Sequence, residues 1–138
     1  MESTEIEFMR ATAVLAITTA TLVSHAAVAD VKRHQSIPES LWGSWAPSPD
    51  GCKNADKSVI VLSAKTYVSS EANCTVAWVS ETAGGKGPIY SAHLQCSKPE
   101  ESARKTQSDV IFSPKDINQV SIGSRFSNLK DYQRCSTN

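Results

Sequence analysis

Two stretches of the chain alternate apolar and polar residues one by one. The first is Cys74-Thr-Val-Ala-Trp-Val-Ser80 and the second is Ile89-Tyr-Ser-Ala-His-Leu-Gln-Cys96. Alternation at period two is the mark of a half-buried β-strand. Glu81-Thr-Ala-Gly-Gly-Lys-Gly-Pro88 lies between them and is rich in turn-forming residues, so the segment predicts a β-hairpin with a mobile Gly-rich tip. Aligned in register, Cys74 faces Cys96, Val76 faces Leu94, Trp78 faces Ala92 and Ser80 faces Tyr90. Those eight residues then share one apolar face that carries both thiols.

Shorter patterned runs surround the hairpin. Trp42–Ala46, Ser58–Leu62 and Lys65–Ser69 precede it, and Asp109–Ser113, Gln119–Ile122 and Lys130–Cys135 follow. Pro38–Leu41 suits one helical turn, and Pro47–Gly51 breaks the chain before Cys52. Lys32–Pro38 reads as a loose polar lead-in. Cys96–Thr106 reads as an exposed polar loop with room for a turn of helix near Glu100–Lys105. About eight short strands at close spacing, with almost no helical periodicity, predict an all-β antiparallel small barrel or sandwich.

The first 29 residues follow a different pattern. Met9-Arg10 supplies a start and a positive charge, Ala11–Val23 is an uncharged, largely apolar run, and Ala27-Val28-Ala29 fits a small-x-small cleavage site. This is the layout of an export signal, with Asp30 as the new N-terminus. The run falls short of the roughly 20 apolar residues of a membrane span, so no span is expected after cleavage. Glu2, Glu5 and Glu7 are foreign to the basic start of such a signal, which makes Met9 the expected true start.

Residues 30–138 are long enough for one domain. They hold 13 Lys and Arg against 11 Asp and Glu, a net charge of +2. With no clustered basic face, nucleic acid is not an expected partner. Four cysteines remain: Cys52, Cys74, Cys96 and Cys135. An even count in a short exported chain reads as two disulfides. The hairpin register favours Cys74–Cys96 and leaves Cys52–Cys135; Cys52–Cys74 with Cys96–Cys135 is the main rival. No C-x-x-C or C-x-x-H pair suggests zinc, and no cofactor motif is present.

Gly43-Ser44-Trp45 near the start of a small β domain resembles the G-x-W of the first strand of lipocalin-like (calycin) barrels. The resemblance implies that Trp45 closes one barrel end and that an Arg of the last strand, here Arg134, packs on it. A second resemblance runs over most of residues 38–135: Tyr67-x-x-x-Glu71-x-x-Cys74, Tyr90-x-Ala92-x-x-x-Cys96 and Tyr132-x-Arg134-Cys135 follow the G-x-W and an early Cys. In this it is similar to short exported proteins of α-proteobacteria, rhizobia among them, a group that implies location and fold and no catalytic residue.

Candidate chemistry is sparse. His34 and His93 are expected to be solvated, and no nucleophile elbow accompanies them. Gly84-Gly85-Lys86-Gly87 lacks the first Gly and the Ser/Thr of a phosphate-binding loop. Glu71 at the entrance to the hairpin, with Trp78 and Tyr90, is the candidate contact for a ligand or partner. The chain is therefore expected to be a monomeric, non-enzymatic binding or inhibitor-type module, periplasmic or secreted, with a periplasmic or extracellular protein as partner. The alternative is a lipocalin-like carrier of a small apolar ligand. That alternative needs an empty interior, whereas Trp45, Trp78 and Phe112 are expected to fill it.

Overall fold

The computed structural model describes residues 30–53 and 57–136; the expected export signal, 1–29, lies outside them. The described chain forms β1 (Lys32–His34), β2 (Gly43–Ala46), β3 (Ile60–Leu62), β4 (Thr66–Val68), β5 (Asn73–Gly84), β6 (Gly87–Lys98), β7 (Glu101–Asp116), β8 (Gln119–Gly123) and β9 (Lys130–Arg134). From β2 onward each strand pairs antiparallel with the next, and β9 returns to β2 through Trp45↔Arg134 and Ala46↔Gln133. The result is a closed, eight-stranded up-and-down barrel with β1 as an extra strand. β4 pairs with the first part of β5, at Asn73–Thr75, and β1 takes over the same edge at Val79–Glu81. Closure matters because short hairpins are marginal alone and open edges invite misassociation.

The interior follows the strand alternation. Trp45, Leu62, Val79, Phe112 and Val120 are fully enclosed, together with Ile37 and Leu41 from the segment that leads into β2. Both disulfides form, as Cys74–Cys96 and Cys52–Cys135, and no free cysteine remains among the described residues. The rival pairing is therefore excluded. Disulfides persist in oxidising compartments, and no helix among the described residues is long and apolar enough to cross a membrane.

The central hairpin departs from its simple register halfway along. Cys74↔Cys96 and Val76↔Leu94 pair as expected. A bulge at Ala77 then shifts the rest, giving Trp78↔His93, Val79↔Ala92, Ser80↔Ser91 and Glu81↔Tyr90. One extra residue on one strand reverses the faces beyond it. Val79, not Trp78, faces the interior, where it and Ala92 are both 0% exposed. A small β-branched side chain fits beside Ala92 in a narrow barrel; an indole is put outside. Trp78 thus does not fill the core, in contrast to Trp45 and Phe112.

Three segments differ from their expected form for one reason: backbone pairing does not require apolar side chains. The loop 81–88 contracts to a turn at Gly85-Lys86, with Ala83↔Pro88 and Gly84↔Gly87 still paired and Gly87 at φ 135°. The polar lead-in contains β1. The polar stretch after Cys96 is no helix or free loop but the first half of β7, in which Glu101–Asp109 are all exposed. β8 meets β7 only from Ile111 to Asp116. The first half of β7 is thus flanked by β6 alone. A short helix, Pro49–Lys53, replaces the expected break and carries Cys52 to Cys135.

Candidate functional site: the open end of the barrel

The two ends of the barrel are built differently. At the end marked by the β7–β8 turn, the 3-10 turn Glu39–Leu41 covers the core, and Leu41 is 2% exposed. Trp45 Nε1 donates to Leu41 O at 2.9 Å, and Trp42 Nε1 donates to Ile37 O at 2.9 Å. The Arg134 guanidinium lies 4.3 Å from the centre of the Trp45 ring. Its Nη1 and Nη2 each donate at 2.6 Å, to Trp42 O and Ser40 O, and its Nε donates at 2.9 Å to Ile117 O. Arg134 and Trp45 are therefore in contact, and one fork ties the plug, the β7–β8 turn and the last strand together.

The opposite end is open. There a cavity of about 510 Å³ enters the barrel. Ile60, Leu94, Val110 and Ile122 line it, together with the Cys74–Cys96 disulfide. Tyr67 on β4 and Tyr132 on β9 also line it, and Glu71, Lys98 and Lys130 lie at its mouth on three separate segments. The sheet geometry accounts for this set. Tyr67 pairs with Cys74, Ser108 with Leu94, Thr106 with Cys96 and Tyr132 with Val120, so each takes the inward side of its strand. Because β8 stops at Gly123, the wall between the first half of β7 and β8 is unpaired. Thr106 and Ser108 border the cavity on one side of that gap, and Ser124 and Asn128 on the other.

Burial holds the protons of the two phenols more tightly than water does. Burial pushes the Tyr67 hydroxyl up to about 12 from an ordinary 10, with Tyr132 and the Glu71 carboxylate adding to the effect. Tyr132 is raised in the same way, by burial and then by Glu71. Both hydroxyls are protonated at neutral pH, as an ordinary phenol is, and stay so further into the alkaline range. Raised folded-state values mean that the folded form holds these protons more tightly than the unfolded chain. The associated stability is complete below pH 10 and is lost as pH rises from 10 towards 12. An alkaline titration followed by tyrosinate absorbance should show Tyr67 ionising last, together with unfolding. Tyr67→Phe should remove that step.

Of the candidate contacts named from the sequence, Glu71 lies at the cavity. Trp78 and Tyr90 do not. Trp78 is outside the barrel, sandwiched between the His93 ring at 3.6 Å and the Arg33 guanidinium at 3.9 Å. His93, expected to be solvated, also approaches Asp109, with Nδ1 2.7 Å from Oδ1. Tyr90 packs against the core on the plugged half of the hairpin, beside a hydrogen-bonded pair of His34 and Glu81 with Nε2 and Oε2 2.6 Å apart. Its hydroxyl is raised by burial and then by Glu81. The bulge accounts for the move of Trp78. Tyr67 and Tyr132 were legible only as members of a motif; that they share a cavity with Glu71 depends on closure of the barrel. No group of three or more His, Cys, Asp or Glu among the described residues could hold a metal ion. No protein-family model, curated protein or solved structure matches this chain.

Proposed function

We propose that this chain is an exported, non-enzymatic binding protein of the bacterial periplasm or cell exterior, and that the open end of its barrel holds a small, largely apolar ligand. The observation that carries the reading is the cavity of about 510 Å³ with an apolar floor and a polar mouth. That size and lining are those of small-molecule sites. The Trp45–Arg134 contact supports kinship with lipocalin-like barrels, since it is the contact their G-x-W resemblance implies. The two disulfides and the export pattern of residues 1–29 support the location, as does the resemblance to short exported rhizobial-type proteins. The carrier reading thus moves ahead of the inhibitor-type reading. The unpaired first half of β7 favours the latter as a second reading, because a free strand edge offers backbone groups to an extended segment of a partner protein.

The test is occupancy of the cavity. Native mass spectrometry of the oxidised protein from an export-competent host should detect a bound small molecule. Ser108→Trp, which adds an indole where Ser108 lines the cavity and leaves the core untouched, should abolish that adduct without changing the melting temperature. A protein that binds none of a set of apolar ligands, with or without this substitution, would remove the reading.

A further inference from the structure

The mouth of the cavity is unequal in charge. Four charged residues border it: Lys98 at the end of β6, Lys130 at the start of β9, Glu71 between β4 and β5, and Asp109 on β7. Asp109 takes the outward side of β7, opposite in direction to its neighbours Ser108 and Val110, and its carboxylate lies there 2.7 Å from the ring of its sheet partner His93. Among the described residues the other three make no ion pair. Two positive charges without partners thus stand against one negative charge.

Their placement is also specific. Lys130 pairs with Ile122 as Tyr132 pairs with Val120, so the lysine and the tyrosine share the inward side of β9, with the lysine nearer the rim. Beneath the rim are the two hydroxyl donors and the apolar floor. A cationic head would meet two lysines for one carboxylate. A neutral head would leave both lysines unused. An anionic head meets two lysines and neutral phenolic donors, and its apolar body meets Leu94, Val110 and Ile122. The cavity has room for one medium-length chain and not for the paired tails of a membrane phospholipid, which selects a free amphiphile over a lipid surface.

Resting on the reading of the cavity as a ligand cup, we propose that its ligand is a small anionic amphiphile, with its head held by Lys98 and Lys130 and its apolar body in the barrel. Glu71 lowers the affinity for that head and so limits how tightly the ligand is held.

Calorimetric titration of the oxidised protein with octanoate and octanol separates the two levels of the argument. Lys98→Gln and Lys130→Gln should each weaken octanoate binding roughly fivefold, the value of one partly exposed charge pair. Glu71→Gln should tighten octanoate by a similar factor. Octanol affinity should stay unchanged in all three, and added salt should weaken octanoate alone. All three side chains are exposed, so the folded state is retained, and octanol binding reports any variant in which it is not. Octanoate binding that ignores all three substitutions while octanol still binds overturns the anionic assignment alone. Failure of both probes to bind overturns the cavity reading and the assignment with it.

Discussion

Replacing Cys52 and Cys135 together by alanine is expected to lower the stability of the domain by about 4–5 kcal/mol, the loop-entropy value for a long closed segment. The bond joins positions 83 residues apart. Its place in the fold adds to the effect. Cys135 follows β9 directly, and its backbone N–H donates to Ser44 O on β2 at 2.8 Å. The β2–β9 seam that closes the barrel consists of two residue pairs, Trp45↔Arg134 and Ala46↔Gln133. Without the bond, the last strand is held by that narrow seam and by β8. Against a typical ~5–15 kcal/mol, this loss removes between about a quarter and nearly all of the net stability. Cys74→Ala with Cys96→Ala should cost less, about 3 kcal/mol, because that bond closes only 22 residues already joined by a hairpin. Urea unfolding of the two double variants should give this order. The reverse order would mean that the seam does not limit stability.

Trp45→Ala is expected to cost about 3–5 kcal/mol, the usual range for emptying a large aromatic site. Trp45 is 0% exposed and touches both the plug and the last strand. Arg134→Ala should cost about 2 kcal/mol. It removes three bonds to backbone carbonyls and one guanidinium–indole contact. Arg134→Lys should recover less than half of that, since an ammonium has no fork to reach Trp42 O and Ser40 O together. The two positions touch, so the double variant should cost less than the separate losses combined. Equal additivity in chemical denaturation would show that the contact contributes nothing of its own. The cavity lies at the other end, so ligand binding by folded Arg134→Ala should match the parent protein.

Much of this architecture can be read along the chain. Alternation marks most of the strands, since a side chain's face depends only on its place in a strand. Four cysteines in a short chain with an export-like start imply two bonds, and the near half of the hairpin brings Cys74 opposite Cys96. The G-x-W at Gly43–Trp45 and the arginine two residues before the C-terminal end of the described chain belong to the same barrel end, as their resemblance implies. Polar strands escape this reading. Lys32–His34 and Glu101–Asp109 are strands because neighbouring backbones offer hydrogen bonds, and none of their side chains is buried in the core.

The site belongs to the tertiary structure. Ala77 carries no mark of a bulge in its own residue type. The bulge turns Val79 inward beside Ala92 and sends Trp78 to the outer face. Tyr67 and Glu71 from β4 and the turn after it, Lys98 from the end of β6, and Lys130 and Tyr132 from β9 are far apart along the chain, and no pattern in the sequence brings the three groups together. They meet because β9 closes on β2 and because β8 ends before it can cover the first half of β7. Local alternation assigns each residue a face; a cavity exists only where the faces of several strands converge, and that depends on closure, stagger and strand length around the whole barrel.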